Sequence, residues 1–346
     1  MERKSNIELL RLVAMLLVLF LHSNYFSLGE VEMIDIQAAP YTAFVKAFTE
    51  QLCIICVNVF VLISGWFGIR PTVKGFLALL YQVFFFHVLI TVVLLCLGVP
   101  VSMKTVLKVF CFGVSYWFVA SYLVLYVLSP VMNLFVKNTS PSIMLSVVLT
   151  FFILEFAVGW CVNSAGFNGG YSAISFIGLY LLARFIRLYS KKLVALSASQ
   201  DMILYVALSL ISVLLFFVTG HDFNILSYTS PFVVGASVFF FLSFNKMQIP
   251  NNRVINYFAC SAFAIYLVHL HPLTYTYYIA LMKQAYAALG GYGYIVFVVV
   301  FAVVFGLFCI MLDKVRIFTW NFVYDRMLRR FVSRVEALPE KFLSIL

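Results

Sequence analysis

The chain has 346 residues, of which 64% are hydrophobic and 10% charged, and its mean hydropathy is +1.06. Soluble domains contain roughly 45 to 50% apolar and about 25% charged residues, so this composition excludes a water-soluble fold. The apolar segments are roughly 20 residues long and lack the alternation of β-barrel strands, which predicts an all-α, polytopic membrane protein. The net charge of +10 is explained by the positive-inside rule, and no nucleic-acid partner is expected.

In chain order the hydropathy pattern predicts a bundle of about ten membrane-spanning helices. Their bounds are 6–26, 48–69, 75–97, 112–136, 142–162, 172–189, 202–219, 228–245, 254–272 and 292–312. Segment 273–291 is aromatic and amphipathic, which is typical of an interfacial segment. Residues 1–313 are thus predicted to form the transmembrane domain, and residues 314–346 a basic amphipathic cytoplasmic tail that lies on membrane lipids.

The distribution of Lys and Arg predicts the orientation of this bundle. One side receives 18 of the 23 basic residues, and the other side receives only Lys46, Lys104, Lys108 and Lys283. Because cytoplasmic loops carry the excess of Lys and Arg, both termini are expected in the cytoplasm.

The first span carries three ionisable residues, Glu8, Arg11 and His22. Such groups inside a membrane are costly, about 2.5 to 3.5 kcal/mol for Arg or Asp at mid-helix, and usually have a function. Glu8 and Arg11 lie three residues apart on one helix face, and 11 residues separate Arg11 from His22, which is three turns plus about 20°. One stripe of the helix therefore carries an ion pair near the cytoplasm and an imidazole about 16 Å further along.

Smaller polar features follow in the second and fourth spans. Ser64 and Gly65 sit near the end of the second span, where small residues indicate either a close helix contact or the lining of a substrate channel. Tyr116, Trp117 and Phe118 begin the fourth span; they are typical of an interfacial aromatic belt, and sugars also stack on such rings.

The ninth span contains Tyr266, His269 and His271. Because His269 and His271 are two residues apart, about 200° on a helix, they cannot both face one cavity. His269 is interpreted as the deeper of the two and His271 as interfacial, while His87 is interpreted as a buried imidazole. Cys53-x-x-Cys56 has no second pair, so no metal site is predicted.

These residues leave two functional classes open. A polar stripe that ends in His22 fits a transporter with a proton relay, and it fits an enzyme whose base is His22.

Several motifs resemble those of the bacterial integral-membrane acyltransferase-3 family. They are Glu8-x-x-Arg11 followed by His22, Phe60 through Phe67 with Ser64-Gly65, Tyr116-Trp117-Phe118, and Ser261 through His269. The resemblance extends over the whole chain in the number and order of helices. It implies transfer of an acetyl or other acyl group from cytosolic acetyl-CoA to a hydroxyl of an envelope glycan or lipid-linked sugar, in the bacterial inner membrane.

The resemblance also implies roles for individual residues. His22 would be the base or would carry the acetyl group itself, and Arg11, balanced by Glu8, would position the donor or polarise its carbonyl. Ser64, Trp117, Tyr266 and His269 would bind the substrate.

One departure from the family concerns the donor site. Family members commonly carry Arg-x-x-Arg just after the second span, where this chain has Arg70 and Lys74 without such a pair. Lys74, Arg184 and Arg187 on the basic side are the expected contacts for acetyl-CoA. The alternative function is non-enzymatic export or flipping of glycan intermediates.

Overall fold

A computed structural model describes residues 4–103, 116–164, 166–219 and 226–343 of the chain. These residues form helices and connecting turns and contain no strand, which confirms the all-α prediction. Lys104, Lys108 and the beginning of the predicted span 112–136 lie outside the described residues. The helices are α1 Ser5–Leu21, α2 Met33–Ala38, α3 Pro40–Cys53, α4 Cys56–Phe67, α5 Val73–Cys96, α6 Trp117–Asn138, α7 Pro141–Leu154, α8 Ala173–Tyr189, α9 Lys191–Ala195, α10 Ala198–Thr219, α11 Pro231–Lys246, α12 Arg253–Ala259, α13 Phe263–His269, α14 Tyr275–Val323 and α15 Arg329–Leu343.

Each of the ten predicted spans coincides with one of these helices or with two consecutive ones. Within the described part of the chain, seven helical segments are long and apolar enough to cross a membrane. The other predicted spans are shorter: α8 has 17 residues, α11 has 16, and the ninth span is interrupted between α12 and α13. The structure therefore establishes a polytopic helical bundle, and the count of ten spans stays a prediction.

Helix α14 joins the predicted interfacial segment to the last predicted span. Gly290 has φ 66° and ψ −177°, a conformation that only glycine adopts readily, so the helix direction changes there. Beyond this kink the helix passes residue 313 without a break and continues through a π-helical turn, Tyr324–Leu328, into α15. The predicted boundary between 313 and 314 thus falls inside one continuous helix.

Helix α4 is the centre of the bundle and contacts α1, α8 and α11. Its close approach to α8 depends on Gly65, because a Cβ atom at this position would lie 2.6 Å from the carbonyl oxygen of Tyr180. Small residues allow such contacts between membrane helices, where packing and hydrogen bonds replace the hydrophobic effect. The close helix contact expected around Ser64-Gly65 is present at Gly65.

We therefore expect Gly65→Ala to destabilise the folded protein. The methyl group would overlap backbone atoms of α8, and overpacking of this kind costs about 1 to 3 kcal/mol. The midpoint of thermal unfolding in detergent should fall. Gly291→Ala is the matched control, because a Cβ atom there meets nothing within 4 Å. Equal unfolding temperatures for the two variants would contradict the assignment of Gly65 as a packing residue.

Candidate active site

His22 begins a π-helical turn, His22–Phe26, that follows α1 directly. A π-helical turn adds a residue to the normal helical repeat and breaks the α-helical hydrogen-bond ladder, and such turns are frequent at functional sites. His22 is 8% exposed, so its imidazole lies inside the protein rather than against lipid.

Hydroxyl groups stabilise this turn by bonding to backbone carbonyls around it. Ser27 Oγ donates to the carbonyl of His22 at 2.7 Å, and Tyr294 donates to the carbonyl of Ser23 at 2.5 Å. The hydroxyls of Ser23 and Tyr278 both lie within 3.0 Å of the Leu19 carbonyl. Because water does not reach such groups in a membrane interior, these side chains prevent buried carbonyls from remaining unpaired.

A buried carboxylate also holds the turn. Glu50, which is 4% exposed, accepts a hydrogen bond from Asn24 Nδ2 at 3.1 Å. Glu50 has no motif around it that predicts a role, although an ionisable residue within the predicted span 48–69 is a signal that could have identified it.

The hydrogen bonds of His22 determine which of its ring nitrogens carries the lone pair. His22 Nδ1 lies 2.8 Å from His269 Nε2, and His269 Nδ1 lies 2.6 Å from the carbonyl oxygen of Ile265. A carbonyl only accepts, so His269 Nδ1 carries a proton and, in the neutral pair, its Nε2 accepts one from His22 Nδ1. The lone pair of His22 is then on Nε2.

His22 also lines a cavity of about 370 Å³. Most of the wall is aromatic and includes the predicted residues Trp117 and Tyr266. Trp117 packs against Tyr171 with ring centroids 4.5 Å apart. The structure thus brings His22, Trp117 and Tyr266 to one cavity and places His269 against His22. An aromatic wall beside a nitrogen lone pair suits a sugar ring that presents a hydroxyl group.

A second imidazole pair lies close to this cavity. His271 Nε2 is 2.7 Å from His87 Nδ1, and the Leu273 N–H donates to His271 Nδ1 at 3.2 Å. His271 is 1% exposed, so the interpretation of this residue as interfacial is wrong. His87 is buried, as expected, and has His271 as its partner. The two histidines of the ninth span therefore belong to different pairs. Helical spacing does not explain this separation, because α13 ends at His269 and His271 lies beyond it.

Glu8 and Arg11 form the predicted ion pair, with Arg11 Nη1 2.7 Å from Glu8 Oε1. The Arg11 side chain is 40% exposed and the Glu8 side chain 7%. Neither residue lines the His22 cavity. Ser64 lies elsewhere as well: its hydroxyl donates to the Phe60 carbonyl and is 3.4 Å from the Tyr122 hydroxyl.

The predicted donor-binding cations are divided between two places. Arg187 donates to the Trp66 carbonyl, and the guanidinium of Arg184 lies against Gly68. These two arginines thus reach the end of α4 and the glycine that follows it. Lys74 instead has its ammonium 4.1 Å from the ring centroid of Tyr324.

The fold and site describe a polytopic membrane bundle with a buried imidazole beside an aromatic cavity. The family model of the acyltransferase-3 group, described as an acyltransferase domain, matches residues 4–314. The chain therefore belongs to this family and is a membrane acyltransferase. No curated protein and no solved structure shows significant similarity to it.

The ion pair of α1 permits a test that separates its structural from its catalytic contribution. Arg11→Gln should destabilise the protein by about 1 to 3 kcal/mol, because Glu8 stays buried without its partner. The double variant Glu8→Gln, Arg11→Gln should recover the unfolding temperature in detergent. If it recovers stability but not acyl transfer, Arg11 acts in catalysis; if it recovers both, the pair is structural only.

Proposed function

We propose that this acyltransferase moves an acetyl group from cytosolic acetyl-CoA to a hydroxyl of an envelope glycan or lipid-linked sugar in the bacterial inner membrane. The observation that supports this most directly is the His22 side chain, which faces a sugar-sized aromatic cavity and has its lone pair fixed on Nε2. Both termini lie in the cytoplasm in this proposal, so the donor arrives from the Arg11 end of α1.

The reaction begins with His22 Nε2, which removes the proton from the acceptor hydroxyl. Histidine is the side chain that most often takes a proton in this kind of step. The hydroxyl oxygen attacks the thioester carbon, the carbon–sulfur bond breaks, and the proton on His22 passes to the departing CoA thiolate. In the alternative route His22 itself accepts the acetyl group and passes it to the acceptor. His269 is a positioning residue in both routes because it fixes the ring and the tautomer of His22.

Arg184 and Arg187 form the proposed donor site. Both extend from α8 to the end of α4 and the glycine that follows it, where family members commonly place their Arg-x-x-Arg. Arg184 Nε is buried and lacks a hydrogen-bond partner among the described residues, which leaves a donor for an anionic group. Guanidinium groups bind phosphates with paired hydrogen bonds. Lys74 adds positive charge on the next helix, α5.

Arg11 is assigned to placement of the donor rather than to polarisation of its carbonyl. Eleven residues of helix separate Arg11 from His22, which corresponds to about 16 Å. A guanidinium at that distance does not contact a carbonyl group that reacts beside His22.

His22→Ala should abolish acetyl transfer in a folded protein. Removal of a general base typically lowers the rate by ~10² to 10⁴. The measurement is transfer of label from [¹⁴C]acetyl-CoA to extracted envelope glycans by the protein purified in detergent. Added imidazole should restore part of the rate if His22 is the base, whereas a trapped acetyl-protein that is lost in the variant indicates the acyl-carrier route.

Two outcomes would contradict the proposal. Normal transfer by His22→Ala would exclude its mechanism. A wild-type protein that transfers nothing in detergent but moves glycan intermediates between two compartments would be an exporter or flippase instead.

The donor site is tested by charge removal. Arg184→Gln and Arg187→Gln should raise the apparent KM for acetyl-CoA by about tenfold each, since a hydrogen bond to a charged group contributes about 1.5 to 3 kcal/mol. Lys137→Gln is the matched control, because this exposed lysine ends α6 on the same predicted side. An unchanged KM in both arginine variants would place the donor phosphates elsewhere.

A further inference from the structure

In the proposed reaction a negative charge develops on the carbonyl oxygen of the thioester, and none of the residues assigned to the reaction so far stabilises it. When the acceptor oxygen attacks the thioester carbon, a new carbon–oxygen bond forms and one electron pair of the carbonyl moves to its oxygen. Enzymes stabilise such an oxyanion with hydrogen-bond donors fixed in place beforehand. Arg11 is about 16 Å along α1 from His22, so the donor groups must come from the wall of the His22 cavity.

Helix α6 begins at this wall. Tyr116, Trp117 and Phe118 all line the cavity, and Trp117 is the first residue of the helix. The first N–H groups of a helix have no partner within it, and they carry the positive end of the helix dipole. Tyr116, at the N-cap position, provides no side-chain hydrogen bond to them.

A second, independent feature of the same wall is the hydroxyl of Tyr266. This residue is 6% exposed and lines the cavity, and its hydroxyl group is buried without a hydrogen-bond partner that meets normal geometry among the described residues. The Phe118 backbone N–H is directed at the oxygen of this hydroxyl. The hydroxyl hydrogen is therefore available to a ligand. An unpaired polar group in a buried position is destabilising, which favours a functional explanation.

The position of Tyr266 relative to His22 also suits a hydrogen bond to the carbonyl oxygen of the acyl group. Tyr266 and His269 lie three residues apart on one face of α13, with ring centroids 6.2 Å apart. His269 in turn contacts His22, with ring centroids 5.0 Å apart. His22 and Tyr266 thus both pack against His269, and both line the same cavity.

We propose that the Tyr266 hydroxyl, which is oriented by the Phe118 backbone N–H, forms an oxyanion site for the acyl carbonyl together with the other backbone N–H groups that begin α6. This inference rests on the proposed function. The site donates hydrogen bonds to the carbonyl oxygen while it carries negative charge. The oxyanion then returns its electron pair to re-form the carbonyl, the carbon–sulfur bond breaks, and the thiolate takes the proton held by His22. Tyr266 is thereby a catalytic residue rather than only a contact for the acceptor.

The test is Tyr266→Phe, which removes one hydroxyl and keeps the ring. Membrane vesicles that hold the native acceptor and equal amounts of wild-type or variant protein receive [¹⁴C]acetyl-CoA, and incorporation into envelope material is measured against donor concentration. Loss of one oxyanion donor typically lowers kcat by ~10² to 10³. We expect that loss with an unchanged KM for acetyl-CoA and an unchanged pH dependence, because His22 is intact.

Tyr205→Phe is the matched control for the loss of a buried tyrosine hydroxyl. Tyr205 donates to the Leu52 carbonyl at 2.7 Å and does not line the cavity, so its variant should keep kcat per folded molecule. Addition of solubilised envelope glycan tests whether the Tyr266 hydroxyl binds the acceptor instead. If the added glycan restores the rate of Tyr266→Phe, the hydroxyl binds the acceptor and its assignment to an oxyanion site is wrong.

The remaining outcomes are also decisive. A Tyr266→Phe rate within twofold of wild type would overturn the oxyanion site and leave the proposed function intact. Absence of incorporation by the wild type would instead overturn the proposed function, and with it the oxyanion site.

Discussion

The hydrogen bond between His22 and His269 is the interaction on which the site depends. It joins the end of α1 to the end of α13, two helices that are far apart in the chain. The Ile265 carbonyl fixes the proton on His269, and His269 then fixes the proton on His22. A main-chain carbonyl thus decides which nitrogen of the proposed base is free. Without this contact His22 could adopt either tautomer, and only one of them presents a lone pair on Nε2.

The rest of the site supports that single contact. A histidine in a π-helical turn has backbone carbonyls around it that lack regular helical partners, and unpaired groups of this kind are costly in a membrane. The hydroxyls of Ser27 and Tyr294 and the carboxylate of Glu50 supply the hydrogen bonds of the turn. Ser27 directly follows the turn, but Tyr294 lies in α14 and Glu50 in α3, so two other helices help to determine the position of His22.

The sequence predicted the helices well because their signal is local. Each apolar run of roughly 20 residues identifies a helix, and helical periodicity alone placed Glu8 beside Arg11. It does not apply to His271, which lies beyond the end of α13. The partners of the histidines were not predictable, since a backbone carbonyl such as that of Ile265 leaves no trace in the residue type. The same is true of Arg184 and Arg187. They end α8 in the chain, yet Gly65 lets α8 approach α4 so closely that both reach the end of the second span.

The geometry of α1 also explains why a donor site and a reaction site would lie at different depths. Regular α-helix from Ser5 to Leu21 fixes the distance between Arg11 and His22 at about 16 Å. A CoA thioester has its charged phosphates at one end and its reactive carbon at the other, and the phosphates are strongly disfavoured in a low-dielectric interior. In the proposed function the phosphates therefore stay beside the end of α4, where Arg184 and Arg187 lie. In the same proposal the uncharged arm of the donor extends from there to His22, which is buried in the interior.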